Sequence, residues 1–522
     1  MEQFFDPLGD AVKRLFGLSY LFPYQRLVVS NLLEAAGAAG IPVWSAAGSN
    51  SLSNEAPSEI AGGTPENMPD DGANLGRQIV ILPTGSGKSL CFQLPAMLLS
   101  GPTLVIYPIL SLMADQERRL TERGFSPVLI RGGQSKEERE AIWKKLRSGE
   151  SKFIIANPEV LLSPQIRKHL PDLGIVHTVI DEAHCVSEWG ESFRPSYLKI
   201  HAILEAVGSP LVTAFTATAS APVLKKIERY IFGGEGARRI IGNPDRSNIE
   251  YRAVGCILRN LTVRDLLLAN KRPAIVFCSS RSGTERLARY LQNHFAEAGI
   301  DWAEEIRFYH AGLNRDEKKE LEIWYLHNTG AVLVSTCAFG LGVDKADIRT
   351  VIHRDCPPSV EAYLQESGRA GRDGKQSRAF LLWGPEDRAR LAQIKTAEEK
   401  TRMGQLFAYA QNFFQCRRET LLQLLNYEGN SGKPEKYCCD VCAGDGSTEL
   451  REERNMADFF RRNRRSYTAD EAARVLADLG DWSEEEAGEA VRALVKKETL
   501  VKCGGPFWKN KITINFKTHN LR

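Results

Sequence analysis

Short runs of wholly apolar residues alternate with segments of helical periodicity from about residue 78 to residue 385. Strands that are apolar on both faces, each followed by a helix, are typical of parallel sheets covered by helices. A polar stretch from Gly242 to Tyr251 interrupts the series. The pattern therefore predicts two parallel α/β domains. Its clearest strands are IVILP, TLVIYP, FIIAN, HTVIDEAH, LVTAFTATA, AIVFCSS, AVLVSTCA and TVIHRD.

Two regions depart from this pattern. Residues 42–77 are rich in Gly, Ser, Asn, Pro and acidic residues, so we predict a disordered insertion, with a partner-binding segment as the alternative. After residue 400 the pattern becomes helical, and the last seventy or so residues give three helical segments and a β-hairpin. Thr468 and Ser483, each followed by acidic residues, are expected helix N-caps. This order of elements predicts a winged-helix-like module.

Composition bounds the class of protein. A chain of 522 residues suggests several domains, and a net charge of +3 means that any basic surface must be local. The sequence shows neither a signal segment nor a run of about 18 apolar residues that could span a bilayer. We therefore expect a cytoplasmic protein, nucleoid-associated if bacterial, that does not bind membranes.

The segment ILPTGSGKS follows a predicted strand and precedes a predicted helix, which is the setting of a phosphate-binding loop. Its glycines let backbone N–H groups point at phosphate, Lys88 would reach the β- and γ-phosphates, and the Ser89 hydroxyl would hold Mg²⁺. The expected ATP-binding residues here are Thr84, Gly85, Ser86, Gly87, Lys88 and Ser89.

Two acids, Asp181 and Glu182, end the apolar run HTVID. A carboxylate at the carboxyl end of a strand that faces a phosphate loop suits the second Mg²⁺ contact, which we assign to Asp181. Glu182 is then placed to orient and deprotonate an attacking water. A solvated acidic pair is the alternative.

A polar loop that carries two large rings, Trp189 and Phe193, follows these acids and ends at Arg194. Nucleic-acid bases stack on aromatic faces for about 1–3 kcal/mol without regard to sequence. Beside a nucleotide site, the loop suggests a device that senses a single strand, although both rings could instead pack in the core. Further on, Arg369 and Arg372 lie among glycines and could stabilise charge on a transferring phosphoryl group.

Eleven cysteines include one group with metal-site spacing. Cys416 lies in a helical segment, and Cys438, Cys439 and Cys442 are clustered in YCCDVC. Four thiolates suit tetrahedral Zn²⁺, so a structural zinc site is expected, with a redox pair as the alternative. In the tail, Arg461 and Arg462 belong to a local basic cluster, RRNRR, that could contact phosphate or form a solvated helix end.

Together these motifs resemble superfamily-two helicases, and the RecQ family of DNA helicases in particular, over about residues 12–445 and loosely over the tail. At residues 21–25 the chain has LFPYQ where the family commonly has FRPGQ. The segments that carry the resemblance are LFPYQ, YPILSLMADQ, DEAHCVSEWGESFRPSY, FTATA, STCAFGLGVDK and QESGRAGRDG.

The resemblance implies roles for further residues. Gln25 would read adenine, Ser111 would lie in a strand-contacting motif, and Gln365 would act with Arg369 and Arg372 in the last helicase motif. It also implies zinc ligands in the cysteine cluster and a winged helix that holds duplex DNA. Phe507 and Trp508 lie where its hairpin could open a fork.

The expected architecture is a first RecA-like domain (1–245), a second (246–395), a helical zinc-binding subdomain (396–448) and a winged-helix-like module (449–522), without the further C-terminal helical domain of many family members. The expected function is an ATP-dependent 3′→5′ DNA helicase that acts on single-stranded and on forked or duplex DNA, in repair or recombination. An RNA-directed helicase and an ATPase switch or scaffold remain the alternatives. Protein partners of the insertion stay unknown.

Overall fold

The computed structural model describes residues 6–43, 76–83, 86–188, 194–217, 219–340, 345–425, 427, 434, 436, 438–446, 450–479, 482–505 and 507–515. It divides into two units, of which the first holds residues 1–244 and 425–429, and the second holds residues 245–424 and 430–522. In the described part of the chain, no helix combines the length and the apolar character that crossing a membrane would need. Most of the insertion predicted at 42–77 lies outside the described residues.

A seven-stranded sheet forms the core of the first unit, in the order β3-β4-β2-β5-β6-β1-β7, and every strand pair in it is parallel. Its strands are β1 (Arg77–Ile81), β2 (Thr103–Ile106), β3 (Val128–Ile130), β4 (Phe153–Ala156), β5 (His177–Ile180), β6 (Leu211–Thr216) and β7 (Arg238–Ile241). The helices are α1 (Pro7–Phe16), α2 (Pro23–Ala38), α3 (Leu90–Leu98), α4 (Leu110–Glu122), α5 (Lys136–Arg147), α6 (Pro158–Leu161), α7 (Pro164–Arg167), α8 (Cys185–Glu188), α9 (Ile200–Val207) and α10 (Ala221–Tyr230).

The side chains of each strand alternate in direction, so apolar residues lie on both faces of this sheet. Ile79 and Ile81 of β1 belong to one hydrophobic cluster, whereas Val80 between them belongs to another. Since successive side chains point to opposite faces of a sheet, the two clusters are the two sides of one core. A strand buried on both faces is therefore mostly apolar, as Ile79, Val80 and Ile81 illustrate.

The second unit repeats this design with six parallel strands in the order β10-β11-β9-β12-β13-β8. The strands are β8 (Ile249–Gly255), β9 (Ala274–Phe277), β10 (Ile306–Tyr309), β11 (Val332–Ser335), β12 (Thr350–His353) and β13 (Ser377–Trp383). Its first helices are α11 (Arg259–Ala269), α12 (Arg281–Glu297), α13 (Arg315–His327), α14 (Val360–Ser367), α15 (Pro385–Gln393) and α16 (Ala397–Gln411). The two parallel sheets confirm the α/β prediction.

Helices and a hairpin complete the second unit, as α17 (Arg417–Leu424), α18 (Asp440–Ala443), α19 (Glu453–Arg462), α20 (Ala469–Leu479), α21 (Glu484–Lys496), β14 (Leu500–Lys502) and β15 (Ile512–Ile514). Both predicted N-caps are present. The hydroxyl of Thr468 accepts from Glu471 N–H at 3.3 Å, and that of Ser483 accepts from Glu486 N–H at 3.2 Å. The strands β14 and β15 pair antiparallel. Three helices followed by a hairpin are the elements expected for the C-terminal module, while its winged-helix assignment stays a prediction.

Polar contacts join this module to the sheet domain of the same unit. The buried carboxylate of Glu452 accepts from Ile257 N–H at 2.8 Å and from Leu258 N–H at 3.3 Å. These amides precede α11, so the carboxylate satisfies donors that a helix N-terminus leaves without intrahelical partners. On the next residue, Glu453 accepts from Lys497 and Thr499, which ties α19 to the end of α21.

We predict that Glu452→Ala loosens this junction. The substitution leaves two buried N–H donors without an acceptor, which costs about 1–3 kcal/mol. Hydrogen exchange of a peptide that spans residues 255–262 should therefore quicken, with Glu304→Ala, at an exposed position of the same unit, as the control. Unchanged exchange in both variants would show that water replaces the carboxylate at no cost.

Candidate nucleotide and metal sites

The phosphate loop lies between β1 and α3, at the carboxyl edge of the first sheet. Gly87 has φ +76, a left-handed conformation that favours glycine, and a Cβ there would come within 2.6 Å of Gln25 Nε2, so the Gln25 amide would have to move. Lys88 and Ser89 follow and lead directly into α3. Thr84 and Gly85 lie outside the described residues.

The structure brings the predicted lysine and the predicted acid together. Asp181 and Glu182 follow β5, which is separated from β1 by β6 alone, so both connections open at the same edge of the sheet. Lys88 Nζ lies 3.8 Å from Glu182 Oε1, and the side chains are only 14% and 15% exposed. Strands far apart in sequence thus bring a cation and two carboxylates to one edge of the sheet.

Electrostatics and backbone geometry mark these acids as unusual. Burial raises the pKa of Asp181 to about 6, and the neighbouring charge of Glu182 acts in the same direction. Glu182 itself has φ +50, a left-handed conformation that is strained for a residue with a side chain. Two adjacent carboxylates that resist ionisation together are stabilised by a divalent cation, which fits the predicted Mg²⁺ role of Asp181.

Two residues that the sequence prediction did not assign also hold this site together. His184 is buried, with Nδ1 3.1 Å from Thr216 Oγ1 and 3.3 Å from Glu182 Oε2. Thr216 is the last residue of β6 and lies in the FTATA segment. The histidine therefore links the DEAH turn to that segment. The signal in the sequence was that both residues lie within recognised motifs, His184 in DEAH and Thr216 in FTATA.

Of the predicted DNA-contacting residues in the first unit, Trp189 and Phe193 lie outside the described residues, while Arg194 and Ser111 can be located. The Arg194 guanidinium donates to the Pro108 carbonyl and lies 3.8 Å from Glu159 Oε1. Ser111 is exposed in the first turn of α4, close to Pro108 in sequence. The end of the aromatic loop is thus attached to the segment that leads into α4.

The last predicted motif belongs to the second unit. Gln365 lies on α14 and is half-buried, Arg369 is buried, and Arg372 is half-buried. A residue outside the motif holds the turn that carries Arg369 and Arg372. The Arg246 guanidinium donates to the carbonyls of Gly368, Ala370 and Gly371 at 2.9–3.1 Å. This support was not visible in the sequence, since an arginine more than 120 residues upstream supplies it.

The four predicted metal ligands form a cluster. The Sγ atoms of Cys416, Cys438, Cys439 and Cys442 all lie within 4.8 Å of one another, and Cys416 and Cys438 approach to 3.5 Å. Hydrogen bonds from the Cys416 and Cys438 thiols hold the pKa of Cys439 below its ordinary value. The adjacent Cys438 and Cys439 both reach the cluster. Four sulfur ligands at this spacing suit a tetrahedral ion with metal–sulfur distances of about 2.3 Å.

The basic cluster of the tail is exposed. Arg461 pairs with Asp458 on the same helix, and Arg462 is exposed beside it. Near the hairpin, the Arg465 guanidinium lies over the Trp508 ring at 5.1 Å, and Phe507 is 85% exposed. Cationic and aromatic side chains therefore share one face of the C-terminal module.

Two family models match the chain. The model described as DEAD/DEAH box helicase matches residues 72–227, and that described as helicase conserved C-terminal domain matches residues 257–374. These ranges include β1–β6 of the first sheet and β9–β12 of the second.

Several known proteins are similar in sequence. The ATP-dependent DNA helicase RecQ of Pasteurella multocida is 34% identical over 375 residues, which cover 70% of this chain and 57% of that protein. The probable ATP-dependent DNA helicase RecS of Bacillus subtilis is 37% identical over 327 residues, which cover 62% of this chain and 64% of that protein. The chain thus spans about six tenths of the length of these two relatives.

Solved structures share the fold at lower identity. The DUF1998 helicase MrfA, in a structure bound to DNA, gives a TM-score of 0.54 at 18% identity, covering 98% of this chain and 59% of that chain. The structure of the helicase Lhr of Mycobacterium smegmatis gives a TM-score of 0.52 at 18% identity. The match covers 98% of this chain and 61% of that chain.

We expect the purified chain to contain one equivalent of zinc and Cys442→Ser to lose it. The serine hydroxyl is a poor substitute for thiolate, and three ligands hold zinc far less tightly than four. Elemental analysis after gel filtration measures the content, with Cys503→Ser, a cysteine outside the cluster, as the matched control. Equal zinc in both variants would show that Cys442 is not a ligand.

Proposed function

This chain belongs to the RecQ family of DNA helicases, and on that premise we propose that it is an ATP-driven motor that moves 3′→5′ on single-stranded DNA and unwinds duplex ahead of it, in repair or recombination. The observation that carries the proposal is the approach of Lys88 to Glu182 at the carboxyl edge of a parallel sheet. The names of the relatives support DNA as the substrate. The 3′→5′ direction is proposed from the resemblance of the motifs to the family alone.

In this proposal ATP lies on the first unit. Lys88 binds the β- and γ-phosphates, and Ser89 and Asp181 hold Mg²⁺, which neutralises phosphate charge when bound. Glu182 takes the proton of the attacking water, and its strained backbone fixes the carboxylate for that task. His184 positions Glu182 and connects it to Thr216.

The second unit would complete the catalytic set. Arg369 and Arg372 stabilise charge on the transferring phosphoryl group, and Gln365 orients the γ-phosphate end. We propose that ATP binding brings the two units together and that hydrolysis releases them. The turn held by Arg246 supports this role, because a preorganised arginine loses little freedom when it engages phosphate.

DNA would be bound by several separate groups. Ser111 contacts the strand backbone, and Trp189 and Phe193 stack on bases. Arg194 would transmit the stacking of bases on these two rings, since its guanidinium already contacts the Pro108 carbonyl.

The C-terminal module would bind duplex. Arg461 and Arg462 contact phosphates, and the exposed Phe507 and Trp508 meet the fork. On this reading, residues 449–522 form a winged-helix domain.

We further propose that the four cysteines hold Zn²⁺ in a structural role within residues 396–448. The two helices next to the cysteines, α17 and α18, are only eight and four residues long, so the metal would supply part of the folding free energy of this part of the segment.

Steady-state ATPase assays test the motor directly. We expect single-stranded DNA to raise the rate strongly, and Trp189→Ala/Phe193→Ala to remove that stimulation while basal turnover remains, because the rings couple DNA to the nucleotide site. Strand displacement should require a 3′ tail and fail with a 5′ tail.

Other outcomes separate the alternatives. Stimulation by RNA alone would indicate an RNA-directed helicase, and stimulation without strand displacement would indicate a switch or scaffold. If DNA changes nothing, or the double variant responds like the wild type, the proposed coupling is wrong even where ATP is hydrolysed.

We predict that Glu182→Gln lowers kcat by about 10²–10⁴-fold while nucleotide affinity changes little, since an amide keeps the shape but cannot accept the proton. Single-turnover hydrolysis and equilibrium binding of a fluorescent ATP analogue measure the two quantities. Glu122→Gln, on an exposed part of α4, is the control. A Glu182→Gln enzyme that retains a tenth of the wild-type rate would contradict the assignment.

A further inference from the structure

A buried arginine joins the cysteine segment to the segment that leads into β8. Arg418 lies two residues after Cys416 and is only 2% exposed. Its guanidinium donates to the Asp245 carboxylate, to the Arg246 carbonyl at 3.0 Å and to the Ile249 carbonyl at 2.7 Å. Because a guanidinium is a planar fork with fixed donor directions, these three acceptors define the path of the chain at the start of β8.

The side chain of Arg246 continues from this segment to the last helicase motif. Its guanidinium donates to three carbonyls of the turn that carries Arg369 and Arg372. The Asn248 amide adds a hydrogen bond to the Gly371 carbonyl at 2.8 Å. Burial lowers the pKa of Arg246, and the charge of Arg372 acts in the same direction, so the two guanidinium groups lie within electrostatic range of each other.

The turn has little room to shift independently of these supports. Gly371 has φ +54, and a Cβ there would come within 2.5 Å of both Asn248 Nδ2 and the Lys375 carbonyl oxygen. On its other side, the Gly371 N–H donates to the Ile348 carbonyl at 2.8 Å. A backbone packed this closely transmits a displacement of residues 245–248 to the turn instead of absorbing it.

We propose that Arg418 is a positioning residue for ATP hydrolysis, which acts through Asp245 and Arg246 on the turn that holds Arg369 and Arg372. The inference rests on the proposed function, in which those two arginines stabilise charge on the transferring phosphoryl group. Arg418 lies outside the segments that carry the family resemblance, so only its tertiary contacts indicate this role.

The expected effect falls on the rate of hydrolysis and not on nucleotide affinity. Charge on the transferring group develops in the transition state, so a displaced arginine weakens the stabilisation of that state more than ground-state binding. Misplacement by about 1 Å can cost about 10²-fold in rate, and a turn that loses one support out of several moves less, so we expect kcat to fall about tenfold and KM for ATP to stay within about threefold.

Arg418→Lys tests the inference, because lysine keeps the buried charge opposite Asp245 but lacks the fork that serves three acceptors. DNA-stimulated hydrolysis gives kcat and KM, hydrogen exchange of a peptide that spans residues 366–376 reports on the turn, and elemental analysis gives the zinc content. We expect the tenfold lower kcat, faster exchange of the peptide and unchanged zinc.

Arg252→Lys is the matched control. Arg252 joins Asp445 of the same cysteine segment to the same strand, β8, but its printed partners do not include the turn. We expect this variant to keep the kcat and the exchange of the wild type. Asp245→Asn keeps the shape of the acceptor and removes its charge, so it carries the same expectations as Arg418→Lys if that variant yields no folded protein.

Two substitutions on one path should not add. Arg246→Lys should lower kcat at least as much as Arg418→Lys does, and the double variant Arg418→Lys/Arg246→Lys should stay within about threefold of Arg246→Lys alone. Fold losses that multiply in the double variant would overturn the inference, because they would show that the two arginines act independently.

The remaining outcomes separate this inference from the proposed function. Where the wild type hydrolyses ATP, a lower kcat without faster exchange, faster exchange with an unchanged kcat, or a kcat loss that only matches lost zinc each overturns the inference and leaves the proposed function standing. If the wild type hydrolyses no ATP with DNA, the proposed function fails and exchange decides. Faster exchange in Arg418→Lys but not in Arg252→Lys then supports the inference, and equal exchange in the two variants overturns it.

Discussion

Burial of both faces of a parallel sheet is the constraint on which the rest of the structure depends. The carboxyl halves of β1 (Ile79–Ile81) and β5 (Val179 and Ile180) are apolar because both faces of the sheet are covered, so the polar side chains of the site lie in the loops that follow these strands. Parallel strands bring all their carboxyl ends to one edge, where helices also begin with free N–H groups. Lys88 after β1 and Glu182 after β5 therefore meet, although nearly a hundred residues separate them.

Two backbone departures at that edge give the site its geometry. Gly87 takes a left-handed conformation next to the Gln25 amide, and Glu182 takes one despite its side chain. The first is tolerated because glycine pays no steric cost there, and the second is held in place by contacts of Glu182 with Lys88 and His184. Both departures lie where phosphate and water would react, which links local strain to the proposed chemistry.

The sequence predicted the interior of the sheets better than their margins. All eight apolar runs form strands, but the four edge strands β3, β7, β8 and β10 lie outside those runs, as does the internal β13. An edge strand pairs on one side only and tolerates polar residues, as the two arginines of β7 illustrate, so periodicity does not reveal it. The motif residues could be identified from the sequence because their spacing along the chain specifies them. The partners of Gln25, the contacts of His184 and the support from Arg246 depend on tertiary distances that no local pattern contains.

The same dependence on distant partners explains how the cysteine segment is attached. Asp440 lies between Cys439 and Cys442 in sequence, and its buried carboxylate accepts from Arg417, the residue after Cys416, at 2.7 Å and from Ala253 N–H of β8 at 3.0 Å. Burying an ion pair costs desolvation free energy, which the attraction between the charges offsets only when the hydrogen bonds are good. This pair therefore contributes to orientation more than to stability. It aligns the two ligand-bearing pieces with each other and with the edge strand. A cation bound by the four sulfurs would occupy a geometry that the Arg417–Asp440 pair already holds, and the Asp440 contact with Ala253 fixes the segment to β8 of the second sheet.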